Sequence, residues 1–302
     1  MNNLPKVSVG IPAYNEELNI KKLLTSLLKQ KGENFELFEI IVVSDGSTDN
    51  TVKEVESLNN SLVKVIGDAG RKGVAARQNE LLKFFKGDIL VILNADVLPE
   101  TDSVISSLIK PIVSDPEKVG LVSGKIMPVK PVTLFESIIA YSVIFKHELV
   151  SSINGGDTVY TCFGPIRAFS KKFAEKFEWP VVVSEDAYSY FACISKGFIF
   201  KSVPEAVVKY RVPQNLTDHV KQSSRFTGGQ DDLAKHIDKD LVEAEHAIPL
   251  KSMLKYSIKY FFKNPILFSG YIFVMILTKF LGTKKNGASI KWDQVKSSKE
   301  LG

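Results

Sequence analysis

Cysteine is scarce in this chain of 302 residues: only Cys162 and Cys193 occur, with neither metal-ligand spacing nor a disulfide framework. A cysteine-ligated metal scaffold and a disulfide-stapled secreted fold are thereby excluded, and a reducing compartment is expected. No leader is expected either. Met1-Asn2-Asn3-Leu4-Pro5-Lys6 runs straight into a strand-like segment without a charged region and an apolar region, so no cleaved signal is expected. Nor is there a long apolar run. Ile266 to Thr278 holds thirteen uncharged residues, and even Pro265 to Leu281 would reach only about 25 Å as a helix, against a hydrocarbon core of about 30 Å. No charge dominates either: 39 Lys and Arg against 34 Asp and Glu leave +5. The lysines gather toward the C-terminus, which points to an anionic surface there and away from nucleic acid along the whole fold. What is present is 44% hydrophobic and 24% charged, ordinary for a folded core, with length for one large α/β domain or two small ones.

Gly87-Asp88-Ile89-Leu90-Val91-Ile92-Leu93 reads as a strand buried on both faces, because five apolar residues follow a Gly-Asp turn without alternation. Its polar end, Asn94-Ala95-Asp96, then lies outside the carboxyl edge of a sheet, where open α/β folds hold ligands. If the extension continues, Asn94 and Asp96 share a face. They are a start for holding a divalent cation against phosphate oxygens, or an Asx turn that closes the strand.

Upstream, Lys6 to Ile11 alternates and stops at Pro12, which cannot donate to a central ladder. Asn15 is placed to cap a helix whose first turn carries Glu16 and Glu17, with Ile20, Leu23, Leu24, Leu27 and Leu28 at helical spacing. Phe38 to Ser44 is a second buried strand. It leads into the turn and cap cluster Asp45-Gly46-Ser47-Thr48-Asp49-Asn50-Thr51 and a helix over 52–58. Val63 to Ile66 is a third strand. The loop from Gly67 to Gly73, with Arg71 and Lys72 before a helix, suits a diphosphate. This β-α alternation demands a parallel sheet with right-handed crossovers and brings Pro12, Asp45 and Asp96 to one edge.

Farther on, a helix near 102–113, a strand over 119–126 and an apolar helix over 134–153 are expected. Gly164-Pro165 marks a tight turn, either an ordinary hairpin or a close approach of backbone to ligand. Ser184 is placed to cap a helix from Asp186 to Lys196. Glu185-Asp186 then falls at the positive end of a helix dipole, which favours paired acids whether or not they do chemistry.

Together and in order, these segments resemble the family 2 glycosyltransferases over about residues 6 to 232. The most specific parts are Val9-Gly10-Ile11-Pro12-Ala13-Tyr14-Asn15-Glu16 and Val42-Val43-Ser44-Asp45-Gly46-Ser47-Thr48-Asp49-Asn50-Thr51. The resemblance implies a GT-A fold, a Rossmann-like and mostly parallel sheet flanked by helices. It implies a transferase that moves a sugar from a nucleotide diphosphate, with UDP favoured, to an acceptor. Asp45 would hold the base, and Pro12, Ala13, Tyr14 and Glu16 would line the nucleotide site. Gly73 to Asn79 would lie beside the diphosphate, with Arg77 and Asn79 in the matching places. Asn94-Ala95-Asp96 stands where the family has Asp-x-Asp, its first acid replaced, and Asp96 would keep the Mn²⁺ or Mg²⁺. Glu185-Asp186 matches the acidic pair at the acceptor, with Asp186 as base and Gly164 in the same region. Gln222-Ser223-Ser224-Arg225-Phe226 is similar to the Gln-x-x-Arg-Trp of processive members, with Phe226 in place of Trp.

Residues 1–240 are thus expected to form the catalytic domain, and 241–302 a C-terminal segment that associates with membrane. Lys251, Lys255, Lys259 and Lys263 recur every four residues beside an apolar face, as in a helix at a membrane interface. An interfacial or re-entrant arrangement is expected, the alternative being a helical hairpin packed on protein. The resulting expectation is an inverting, metal-dependent transferase, peripheral or monotopic at the cytoplasmic membrane face. Its acceptor would be a lipid-linked saccharide or a growing polysaccharide. Competing readings are a sugar-phosphate nucleotidyltransferase, whose Gly- and Arg-rich loop is lacking after Pro12, and a non-catalytic nucleotide-sugar binder, suggested by Asn94.

Overall fold

The computed structural model describes residues 4–223 and 229–282. The chain opens as β1 (Lys6–Ala13), α1 (Ile20–Leu27), β2 (Glu36–Asp45), α2 (Thr51–Glu56), β3 (Val63–Asp68), α3 (Val74–Phe84) and β4 (Ile89–Leu93). It continues with β5 (Leu98–Pro99), α4 (Val104–Ser114), β6 (Val119–Pro128), α5 (Leu134–Ser151), β7 (Ile166–Ser170), α6 (Lys171–Ala174), α7 (Glu185–Ser195) and β8 (Ile199–Tyr210). The last helices are α8 (Leu216–Ser223), α9 (Gly229–Leu233), α10 (Lys239–Glu245), α11 (Leu250–Lys263) and α12 (Pro265–Gly282).

The strands form one sheet in the order β3-β2-β1-β4-β7-β6-β8-β5. From β3 to β4 every neighbour is parallel, as the β-α alternation requires. Alternate residues of these buried strands feed two cores. Val7, Val9, Ile11, Val42, Val91 and Leu93 meet α1 and α4 on one face. Ile41, Val43, Leu90 and Ile92 meet the α3 and α7 side, with Phe169 and Phe173, on the other. This is the mostly parallel, helix-flanked sheet expected.

β7 is antiparallel to both β4 and β6, with Leu93 opposite Ile166. Because β7 runs backwards, its beginning lies at the edge where β4 ends. Gly164 and Pro165, just before β7, are thus delivered to the carboxyl edge beside Asn94. That is the fold's main contribution to the site.

Several local expectations are corrected. β1 runs on through Pro12 to Ala13, because its pairing with β4 stops at Gly10 and leaves no ladder on that side for proline to interrupt. α1 starts at Ile20 rather than at Glu16, and the residue at its N-cap position is Asn19, not Asn15. Two short 3₁₀ turns, at Asn154–Gly156 and Val159–Thr161, occupy the approach to β7. β8 was not legible, since Pro204 and several charges interrupt it. Its register against β6 shifts between Ser123 and Lys125, and the irregularity absorbs Pro204.

The boundary expected at residue 240 falls inside α10, whose Val242 is buried in the second core. α11 and α12 form a hairpin on α5: Tyr260 and Phe268 pack with Phe145 and Leu149, and Val274 packs with Ile139. Tyr141 Oη donates to the Tyr260 carbonyl at 2.6 Å, and Lys259 pairs with Glu148 at 2.5 Å. One lysine of the basic stripe is therefore spent on protein. Cys162 and Cys193 are both buried free thiols.

Candidate active site

The loops after β1 and β2 are sewn together by the residues that carry the strongest sequence signal. Asn15, in the left-handed region at φ 52°, accepts from Thr48 N at 2.8 Å through Oδ1, and its own N–H donates to Ser47 Oγ at 3.1 Å. Glu16 N donates to Thr51 Oγ1 at 2.7 Å, while Glu17 accepts from the backbone and side chain of Asn50 at 2.9 and 3.0 Å. Glu16 is buried, and Asn19 Nδ2 donates to its Oε2 at 3.2 Å. Its observed contacts thus stiffen the loop.

Asp45, at the end of β2, organises the glycine-bearing loop before α3. Its Oδ1 accepts from Lys72 N at 2.7 Å, Gly73 N at 3.2 Å and Arg77 Nε at 2.9 Å. Gly73 takes φ 94°, open to glycine at little cost, and so turns its N–H to the carboxylate. Arg77 is buried and also holds Glu80 at 3.0 Å. The Arg71 guanidinium lies 3.7 Å from the centre of the Tyr14 ring. Pro12, Ala13, Tyr14, Asp45, Gly73 and Arg77 thus sit at one edge with cationic Arg71 and Lys72.

The extension of β4 does not continue. It ends at Leu93, and Ala95-Asp96 form a turn, so Asn94 and Asp96 are not successive residues of one strand face. Asn94 N donates to the Pro165 carbonyl at 3.2 Å. A Cβ added to Gly164 would stand 3.1 Å from Glu185 Oε1 and 3.5 Å from Asp186 Oδ2. A single turn therefore joins the end of β4 to the two acids at the start of α7.

Those acids occupy unlike surroundings. Glu185 is 3% exposed, and its carboxyl is pushed up to about 8, first by burial and then by neighbouring Asp186, against the pull of Arg167 3.9 Å away. Asp186 is half-buried and accepts from Ala187 N at 2.8 Å through Oδ1. Burial thus favours the protonated form of Glu185, while Asp186 beside it is still partly open to solvent. Ser184 precedes α7 as expected, but its side chain makes no capping bond.

Some assigned residues lie elsewhere. Asn79 does not face the diphosphate loop: its amide is taken by the main chain of Trp179. Gln222 is in the last turn of α8, whose Leu216 clusters with Val274 of α12. Arg225 and Phe226 lie outside the described residues. Gly229, where the description resumes, lies against the Ser184 hydroxyl. Arg167, Trp179, Gln78 and Ser189 escaped the sequence reading, although an arginine inside the apolar run Ile166-Arg167-Ala168-Phe169 was a usable signal.

Comparison with known proteins agrees with this architecture. The model for glycosyl transferase family 2 matches residues 8–177. An uncharacterized glycosyltransferase of Haemophilus influenzae is 26% identical over 264 residues, covering 80% of this chain and 74% of that one. The Escherichia coli UDP-Glc:alpha-D-GlcNAc-diphosphoundecaprenol beta-1,3-glucosyltransferase WfgD is 25% identical over 220 residues, covering 69% and 78%. Among solved structures, the mannosyltransferase PcManGT of Pyrobaculum calidifontis, in complex with GDP-Man and Mn²⁺, superposes with a TM-score of 0.57 at 21% identity, covering 92% of this chain and 76% of that one.

Proposed function

The chain belongs to glycosyl transferase family 2, and from that premise we propose an inverting transfer from a nucleotide diphosphate sugar, with a UDP-sugar favoured, to a lipid-linked or polysaccharide acceptor. The observation that carries the reading is the turn at Gly164-Pro165, which abuts Asn94 on one side and Glu185-Asp186 on the other. A donor held at the β4 edge would present its sugar to an acid that is still partly open. In a single displacement, the acceptor oxygen bonds the anomeric carbon, the bond to the diphosphate breaks, and the hydroxyl proton passes to Asp186. Asp45 keeps the nucleotide loop in place, and Arg71 and Lys72 of that loop would turn from Asp45 and Glu80 to neutralise charge on the departing diphosphate.

Divalent metal suits this donor set. Among the described residues no three acids, histidines or cysteines gather as a closed site, but Mg²⁺ and Mn²⁺ in such sites take one or two carboxylates and complete their shell with substrate phosphates. Asp96, with Asn94 beside it, would hold the ion, which would supply charge neutralisation on the leaving group. The metal-bearing mannosyltransferase supports the same expectation for this fold.

The acceptor side is read from the C-terminal helices. Leu254, Ile258, Phe262, Ile266, Phe273 and Phe280 are exposed on the packed hairpin, with Lys251, Lys255 and Lys263 among them. No helix of the described residues is long and apolar enough to cross a membrane. An exposed apolar face with lysines suits the headgroup region of an anionic leaflet, which supports a peripheral position at the cytoplasmic face. A lipid-linked acceptor, of the kind named for the Escherichia coli relative, would be met there.

The test is release of UDP from UDP-glucose and of GDP from GDP-mannose, with and without Mn²⁺, in the presence of lipid extract. Metal-dependent release that Asp186→Asn abolishes is expected. Pyrophosphate formation would replace this reading with nucleotidyl transfer, and tight donor binding without turnover would replace it with the sensor suggested by Asn94.

A further inference from the structure

The carbonyl groups on either side of Asp186 are both held by side chains, the first from outside α7 and the second by Ser189 of α7 together with Cys162 Sγ at 3.4 Å. The preceding one, of Glu185, accepts from Trp179 Nε1 at 2.7 Å and from Arg167 Nη1 at 3.3 Å. The following one, of Asp186 itself, accepts from Ser189 Oγ at 2.7 Å, and that hydroxyl in turn accepts from Arg167 Nη1 at 2.9 Å. A helix needs no such help within its first turn, since its carbonyls there have partners four residues on.

The two donors are themselves anchored by consecutive residues of α3. Gln78 Oε1 accepts from Arg167 Nη2 at 3.2 Å. Asn79 satisfies both main-chain groups of Trp179: Nδ2 donates to its carbonyl at 2.8 Å, and Oδ1 accepts its N–H at 2.9 Å. The residue before them, Arg77, holds Asp45 in the nucleotide loop. Three successive side chains of one helix thus bind the donor loop and the supports of the acid turn. Arg167 and Trp179 are both buried, so solvent does not compete for these bonds.

We propose that Trp179 and Arg167, fixed by Asn79 and Gln78 of α3, are positioning residues that set where Asp186 stands relative to the donor loop. This rests on the reading of Asp186 as the base. Neither residue touches the reacting atoms; each acts through the backbone of the first turn of α7. Misplacing a reacting group by about 1 Å can cost on the order of 10² in rate, so the effect belongs in turnover rather than in donor binding.

Trp179→Phe tests it, because phenylalanine keeps an aromatic ring against Phe169 and Phe177 while it removes the indole N–H together with one of the two fused rings. Ser189→Ala removes the nearer donor to the second carbonyl, and with it the link to Arg167, leaving Cys162 Sγ at 3.4 Å; it decides the question if Trp179→Phe does not fold. With UDP-glucose or GDP-mannose, whichever is turned over, each variant is expected to lower kcat about tenfold or more while donor KM stays within about twofold. Hydrogen exchange over residues 185–189 is expected to quicken by about tenfold in the same variants, with or without substrate. Parental kcat and parental exchange, with Asp186→Asn inactive, would overturn the positioning assignment alone. A loss seen only as a lower melting temperature or a raised donor KM would also overturn it, in favour of a merely structural role. Full turnover by Asp186→Asn would instead remove the base reading, and this assignment with it.

Discussion

Arg77 donates to Asp45 at 2.9 Å from a side chain only 1% exposed, so the carboxylate proposed to hold the nucleobase is also a counter-charge of a buried cation. Breaking a buried pair typically costs about 3–5 kcal/mol when the remaining charge has no other partner; Arg71 at 3.8 Å from Asp45 and Lys72 at 3.0 Å from Glu80 offset part of that here. Arg77→Met is therefore expected to lower the denaturant midpoint markedly and to weaken donor binding, because Lys72 and Gly73 share the same carboxylate. Equilibrium urea unfolding with and without UDP checks both. An unchanged midpoint would mean that this pair does not organise the loop.

Glu185 and Asp186 are expected to respond differently to amide replacement. Asp186→Asn should lower turnover by about 10²–10⁴, the usual cost of losing a general base. Glu185→Gln should stay within about tenfold at neutral pH, because burial pushes that carboxyl toward its neutral form. Steady-state kinetics of the two variants side by side checks the division. Equal losses would mean that Glu185 must ionise to work.

The same raised carboxyl predicts how stability depends on pH. Glu185 is pushed up to about 8 from an ordinary value of 4.5, so between those values the folded state holds a proton that the unfolded state has released. Stability from this group is then full below about pH 4.5, falls as pH rises toward 8, and levels off above it. The fall is on the order of a few kcal/mol. Glu185→Gln removes it, and urea midpoints at pH 5, 7 and 9 should show a shallower decline in the variant than in the parent.

Asp96 stands as the one acid in the turn after β4, with Asn94 in place of a second. Asp96→Ala is expected to abolish the tightening of UDP binding by Mn²⁺, whereas Asn94→Asp should strengthen it by adding a second carboxylate. Calorimetric titration of UDP with and without Mn²⁺ measures both effects. If Asp96→Ala keeps the full Mn²⁺ effect, the ion is held elsewhere.

The buried strands from β1 to β4 were legible because each is a short run of apolar residues closed by a turn, a pattern local to a few positions. The convergence of Asp45 and Asp96 followed from the β-α alternation. Side-chain duties were harder to read. Asn15 looked like a cap because an asparagine before two glutamates suits one, yet its partners are Ser47 and Thr48, more than thirty residues away. Asn79 fell in a stretch expected beside the diphosphate, yet its partner Trp179 is 100 residues distant. Periodicity reports which face a residue takes, but not which distant backbone meets it. The C-terminal lysines were evenly spaced in sequence, and only packing against α5 distinguishes Lys259, paired with Glu148, from the other three.

That distinction sharpens the membrane prediction. Deleting the hairpin would strip Phe145, Leu149 and Ile139 of their cover, so point substitutions in the full chain are the better probe. Each lysine near an anionic surface contributes about 1 kcal/mol. Replacing Lys251, Lys255 and Lys263 by Gln should therefore weaken flotation with phosphatidylserine vesicles by about two orders of magnitude in partition coefficient at low salt. Raising the salt should shrink the difference, since screening acts on the parent's lysines and not on the glutamines. Phe262→Ser, at a position 78% exposed, should leave a weakening that salt does not alter, because apolar burial is indifferent to screening. Lys259→Gln should act mainly on stability, through Glu148. If the parent fails to float with these vesicles at low salt, the exposed face of α11 and α12 is not a membrane surface.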